Sequence, residues 1–342
     1  MPTKLIRGIS LAYDDLGPTG NTTATNAPAA AASAANASAT NAPAAASATN
    51  APAAASASVT NASATNAAAT NAPAANTPTT NTPATNTSTT NASATSTTPL
   101  VFIHGHPFNR TMWSEQVTHF KADYRLILPD LRGYGESGIT EPRVLLDEMA
   151  LDLIHLLDEL NIVNATFIGL SMGGQIVLDL YRLVPHRFTA LVIVDSDARA
   201  ETPESAARRL ATADEILRIG MIQHTNDTCH KYIAPTSMRN PAVYDPLYKM
   251  MTTTDPQGAA AAHKGRALRR DHLAILPSIH VPALIVVGSE DFFTPIPIAR
   301  LMSDNIPGAS LAVIEGAGHL PNMEAPAEFN VALGSFLRQA IR

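Results

Sequence analysis

The chain has 342 residues, a formal net charge of −6 at pH 7 and a single cysteine, Cys229. The charge is spread without a basic block, which argues against a nucleic-acid partner, and one cysteine excludes an intramolecular disulfide and fits a reducing compartment. The opening "MPTKLIRGIS" lacks an apolar stretch of signal-peptide length and no later run is long enough to cross a bilayer, so a cytoplasmic protein with no membrane partner is expected.

"KLIRGISLAYDD" reads as two short strands with a turn at Arg7-Gly8. From Asn21 to Thr98 the chain is almost entirely Ala, Thr, Asn, Ser and Pro, and no charged residue stands between Asp15 and Arg110. Threonine-asparagine pairs recur throughout, so the segment is an internal repeat. It lacks the regularly placed Leu or Phe that a stacked repeat needs to bury a core. Without that burial nothing offsets roughly 1–2 kcal/mol of backbone entropy per residue, and the stretch reads as a disordered low-complexity insert. Closing so long a loop in place of a short one costs only about 2 kcal/mol. Deleting residues 21–97 is therefore expected to leave the fold intact, as a cooperative urea or thermal transition in the shortened chain would show.

Setting the repeat aside leaves about 260 residues, enough for one large α/β domain. "PLVFIHG" is a continuous apolar run ending in glycine, the pattern of a parallel strand buried on both faces. "YRLILPD", "ATFIGLS", "ALVIVDS", "ALIVVGSED" and "LAVIEGAGH" repeat that pattern. Between them, "LLDEMALDLIHLLDEL" places Leu146, Met149, Leu153, Leu156, Leu157 and Leu160 on one helical face, and "GGQIVLDLYRLVP" is a second helix ended by Pro185. Strands alternating with helices predict a doubly wound, mostly parallel sheet. Residues 199–272 break the rhythm: helical patterning rich in methionine, without a buried strand, predicts a helical cap over the sheet. The expected organisation is thus first strands over 1–20, insert over 21–98, core over 99–198, cap over 199–272 and core again over 273–342.

Gly169-Leu170-Ser171-Met172-Gly173 is a G-x-S-x-G sequence between a buried strand and an amphipathic helix. In that context it predicts a sharp strand-to-helix turn with the serine at its tip. A Cβ at either flanking glycine would collide with the neighbouring strand and helix. Gly174 adds close packing of helix on sheet. The turn exposes the serine Oγ and sets the next backbone N–H at a helix start, where it suits an oxyanion.

On these residues the chain resembles the α/β-hydrolase family, and "HGHPFN", "DLRGYGESG", "GSEDFFTP" and "GAGHLPNMEAP" match that family in order, over everything except the repeat. The resemblance implies a nucleophile, acid and histidine in that chain order, supplied here by Ser171, Asp291 and His319. His319 would act as base and Asp291 would orient it. Asp291 could instead cap the helix that starts near Pro295; Glu290 is also acidic, and Asp195 and Asp197 occupy an alternative acid position used by some members. The resemblance further implies that the backbone N–H groups of His106 and Met172 form the oxyanion hole. The His106 ring itself reads as a rim histidine in water.

Other motifs weigh less. His104-Gly105-His106 looks like a metal pair, but no further ligands stand nearby in sequence, so no metal is expected. Gly133 to Gly138 matches G-x-G-x-x-G, yet it opens no helix directly, and the resemblance makes it a surface turn with structural Asp130 and Arg132. Cys229 reads as a spectator thiol. The expectation is a cofactor-free serine hydrolase for a small to medium carboxylic ester or lactone, of the esterase, enol-lactonase or perhydrolase type. Perhydrolase or non-haem haloperoxidase-type chemistry on the same triad, and a ligand-binding protein that kept the fold, are the alternatives.

Overall fold

A computed structural model describes residues 2–18, 98–139 and 142–341 of the chain. In chain order the elements are β1 (Thr3–Ile6), β2 (Ile9–Leu16), β3 (Leu100–Ile103), α1 (Ser114–Phe120), β4 (Leu126–Pro129), α2 (Leu146–Glu159), β5 (Ala165–Leu170), α3 (Met172–Leu183) and β6 (Phe188–Val194). Then come α4 (Pro203–Thr228), α5 (Pro241–Thr253), α6 (Pro256–Arg266), β7 (Ala283–Gly288), α7 (Ile296–Asn305), β8 (Ser310–Ile314), α8 (Pro321–Glu324) and α9 (Pro326–Ala340). All but the last residue of the repeat lies outside the described residues.

The strands form one sheet in the order β1-β2-β4-β3-β5-β6-β7-β8. β1, β2 and β4 are joined antiparallel, and every pairing from β4 onward is parallel. Each apolar run read from the sequence is a strand of this sheet. The β1–β2 turn falls at Arg7 and Gly8, both with positive φ.

Alternation along the parallel strands builds two cores. Val101, Ile103, Phe167, Leu191, Ile193 and Ile285 face one side, where α2, α3 and α7 bring Leu153, Leu157, Ile176, Leu180 and Met302. Leu100, Phe102, Ile168, Leu170, Val192 and Val286 face the other, against Phe120 of α1, Leu333 and Leu337 of α9, and Leu247 and Met250 of α5. Each fully buried side chain of this kind contributes roughly 1.5–3 kcal/mol. Burial on both faces is what produces continuous apolar runs in place of alternating ones.

Between β6 and β7 the described chain holds three α-helices and no strand. The pattern over Glu204 to Gln223 predicts one helix; α4 covers it but breaks helical geometry at Gly220, where φ is 77°. Met221, Met250 and Met251 are buried against neighbouring helices and strands. α6 has no apolar stripe to signal it, because it packs by close backbone approach. A Cβ on Gly258 would strike the Gly133 carbonyl, and one on Gly265 would strike the Val144 carbonyl. Gly133, in the turn that mimics a dinucleotide fingerprint, thus seats α6.

β3 is flanked by β4 on one side and β5 on the other, so the chain reverses its direction of winding between β3 and β5. In open α/β sheets the crevice at the carboxyl ends of such a strand pair is where ligands bind.

Candidate active site

Ser171 is the single residue between β5 and α3, with φ 55° and ψ −113°. A non-glycine residue held there stores about 1–3 kcal/mol, which the surroundings must enforce. They do so with main chain. Ser171 N–H donates to the Val194 carbonyl at 2.8 Å, and Ser196 Oγ donates to the Ser171 carbonyl at 2.7 Å. A Cβ on Gly169 would meet the Gly173 carbonyl, and one on Gly173 would meet the Ile103 carbonyl of β3. Since those obstacles are backbone and cannot rotate aside, Gly173→Ala is expected to destabilise the fold by about 3 kcal/mol, the upper range for overpacking. Urea titration measures this, and an unchanged midpoint would contradict the steric account.

His319 follows β8 and is buried. Its Nδ1 lies 2.9 and 3.0 Å from the two carboxylate oxygens of Asp291, which follows β7. Asp291 also accepts from Phe293 N–H at 2.8 Å and from the Thr294 hydroxyl, so it braces its own loop while holding the histidine. Burial alone pushes the Asp291 carboxyl up. His319 and the Thr294 hydroxyl overcome that and hold it below the usual carboxylate range. An ionised carboxylate has no proton to give, so Nδ1–H is the donor, and in the neutral ring this tautomer carries its lone pair on Nε2.

Of the competing acids, Glu290 is exposed, and Asp197 is ion-paired with Arg199 at 2.8 Å. Asp195, at the end of β6, is buried and closer to the chemistry. Its Oδ1 accepts from Gly288 N–H at 2.9 Å, while Oδ2 has no partner if the group is ionised. Burial first, and then the charge of Asp291, push its carboxyl well above the ordinary value. Asp195 therefore holds its proton to a higher pH than an ordinary carboxyl does, and it lies beside Asp291. One ligand atom each from Asp195, Asp291 and His319 lies within 4.8 Å of the others, the one grouping among the described residues with metal-like spacing. Within it Asp291 and His319 hold each other, while Asp195 spends one oxygen on Gly288 N–H.

Met172 is the first residue of α3, so its N–H is among the four at a helix start with no intrahelical acceptor. His106 sits in the loop after β3, and β3 pairs with β5 through Ile103 and Gly169, which brings the two backbone donors to the same strand ends. The His106 ring is not at a wet rim. It is buried, with Nδ1 2.7 Å from the Tyr134 hydroxyl and its ring 4.3 Å from that of His263. The sequence misplaced it because α6, which covers it, has no legible periodicity. Burial, followed by the charges of His263 and Arg266, lowers its pKa well below the ordinary value, so the ring is neutral. His104 spends both ring nitrogens on backbone, Nδ1 on the Gly105 carbonyl at 2.8 Å and Nε2 on Leu131 N–H at 2.9 Å.

Asp130 accepts from the N–H groups of Arg110 and Glu136 and pairs with the Arg110 guanidinium, while Arg132 pairs with Asp152. Both tie the turn after β4 to the core. Cys229 is buried as a free thiol.

Ser171, His319 and His106 border one cavity of about 470 Å³, together with Tyr232, Phe293 and Arg266. Sequence patterning did not reach the last three. A serine on a strained turn at a helix start and an imidazole oriented by a buried carboxylate form an arrangement suited to acyl transfer. The methionines of α4 and α5 are not among the residues lining this cavity; α4 reaches it through Ser205, Arg208 and Arg209, and α6 through His263 and Arg266.

Residues 100–332 match the family described as the alpha/beta hydrolase family. 3-Oxoadipate enol-lactonase 1 of Acinetobacter baylyi is 30% identical over 241 residues, 70% of this chain and 88% of that protein. A thermophilic esterase from Thermogutta terrifontis, with malate bound, is similar with a TM-score of 0.70 and 33% identity, covering 72% of this chain and 91% of that one. The enol-lactonase from Burkholderia xenovorans LB400 shares the fold with a TM-score of 0.72 over 98% of this chain and 100% of that one, at 20% identity. No helix among the described residues is long and apolar enough to cross a membrane.

Proposed function

The chain belongs to the alpha/beta hydrolase family and acts on ester bonds, and from that premise we propose a cofactor-free serine hydrolase that opens a small to medium carboxylic ester or lactone through an acyl-enzyme. Ser171 Oγ attacks the carbonyl carbon as His319 Nε2 takes its proton. Asp291 holds the imidazolium through Nδ1, and the N–H groups of His106 and Met172 donate to the oxyanion. Collapse of the tetrahedral species breaks the ester C–O bond, and the proton on Nε2 passes to the leaving oxygen. Water, activated by the same imidazole, then frees Ser171. Residues 199–272 serve as the cap under which the substrate sits.

The observation that carries this reading is that His319, held by Asp291, borders the same cavity as a serine with φ 55° at a strand-to-helix turn. Both relatives quoted at 30% identity or more carry ester-bond or lactone chemistry in their names, which supports the substrate class. Intact-mass analysis after treatment with a fluorophosphonate tests it. One covalent adduct on the wild type is expected. A folded wild-type chain that takes up no adduct would sink the serine mechanism.

A further inference from the structure

The cavity beside Ser171 carries more positive charge than an ester carbonyl requires. Five arginines border it, Arg199, Arg208, Arg209, Arg266 and Arg269, against two carboxylates, Asp197 and Glu201. The carboxylates are already engaged. Asp197 pairs with Arg199 at 2.8 Å and faces Arg269 at 3.7 Å, while Glu201 pairs with Arg209 at 2.7 Å and Arg269 at 3.1 Å. Arg208 is exposed to solvent. That leaves Arg266, only 8% exposed, whose guanidinium makes no hydrogen bond or ion pair among the described residues. Burial first, and then the like charges of Arg209 and Arg269, pull its pKa down to about 9.

A buried guanidinium without a counter-ion is costly unless an anion completes it. The site around it is built and not incidental. Arg266 directly follows Gly265, whose close approach to the Val144 carbonyl fixes the end of α6, and Val144 N–H donates to the Ala261 carbonyl at 3.2 Å. Two further nitrogens border the same space without partners, Nε2 of His106 and Nδ1 of His263. The Tyr134 phenol, whose pKa burial raises far above normal, stays protonated, with its oxygen 2.7 Å from His106 Nδ1 and 4.0 Å from the Met172 sulfur. One fixed positive charge and two unpartnered ring nitrogens converge on a cavity that also holds Ser171.

We propose that Arg266, with His106 and His263, forms an anion subsite in this cavity, and that the substrate is an ester or lactone carrying a carboxylate group. The guanidinium fork matches a carboxylate in two parallel hydrogen bonds and leaves the net charge of the occupied subsite at zero. This rests on the serine-hydrolase reading and narrows it.

The test compares kcat/KM for the mono-4-nitrophenyl ester of glutaric acid with that for 4-nitrophenyl valerate, in the full-length wild type, Arg266→Met and Arg266→Lys. The wild type is expected to favour the anionic ester about 30-fold or more, a ratio that collapses in Arg266→Met and survives in part in Arg266→Lys. Glutarate itself is expected to inhibit valerate hydrolysis competitively in the wild type and far more weakly in Arg266→Met. Equal turnover of both esters by the wild type would overturn the subsite while leaving the hydrolase standing, and needs no variant to fold. A wild-type preference that Arg266→Met retains would overturn the assignment to Arg266. No turnover of either ester together with no fluorophosphonate adduct would instead remove the hydrolase reading on which the subsite depends.

Discussion

Replacing Ser171 with alanine is expected to lower kcat by about 10⁴–10⁶-fold and to abolish the fluorophosphonate adduct, while the thermal transition stays within a few degrees of wild type. The loss is large because the proposed mechanism forms its covalent bond at one oxygen and no neighbouring group can replace it. The fold survives because the turn is held by Ser171 N–H on Val194 and by Ser196 Oγ on the Ser171 carbonyl, neither of which uses the Ser171 hydroxyl. Alanine at φ 55° carries the same backbone strain that serine does. Residual activity above the uncatalysed rate is expected, because the proposed oxyanion donors, the N–H groups of His106 and Met172, are untouched by the substitution. Retained turnover, or a melt lowered by tens of degrees, would contradict the separation of chemistry from structure at this position.

The core was legible because burial on both faces of a parallel sheet leaves an unmistakable trace. "ATFIGLS" has no alternation, and β5 sends Phe167 to one core and Ile168 to the other. The turn at Ser171 was legible because glycine is demanded twice by backbone atoms that cannot move. Much of the covering over the site was not. α6 is a helix of small residues seated by Gly258 and Gly265, so it shows no apolar stripe, and with it His263 and Arg266 stayed hidden. His106 was misplaced for the same reason: its burial is caused by a segment about 150 residues downstream whose pattern says nothing of where it packs. Asp195 was visible as a rival acid, but its raised pKa was not, since that follows from burial and from the proximity of Asp291 at the end of the neighbouring strand.

Asp291→Asn and Asp195→Asn separate the two acids by opposite outcomes. Asparagine at 291 removes the charge that faces His319 Nδ1 and offers that nitrogen an N–H or a carbonyl in place of a carboxylate. The wrong tautomer and the lost imidazolium partner together are expected to lower kcat by about 10⁴-fold. Asparagine at 195 reproduces what a protonated Asp195 does. Its carbonyl accepts from Gly288 N–H, as Oδ1 does now at 2.9 Å, and its amide nitrogen donates to Asp291. Turnover within a few-fold of wild type is therefore expected. Stability shifts as well, and its sign follows from protons bound. Above the pKa of an unfolded aspartate, about 3.9, the unfolded chain has lost the Asp195 proton while the folded chain keeps it. Folding is then opposed increasingly as pH rises toward the raised folded-state value, where the loss levels off. Asp291 has the opposite sign: its depressed pKa adds stability above the unfolded value that is lost as acid protonates it. Asp195→Asn is accordingly expected to raise the melting temperature at pH 7 and, at pH 4 and below, to change it little. Loss of turnover in Asp195→Asn with activity retained in Asp291→Asn would transfer the role of triad acid to the strand-end carboxyl after β6.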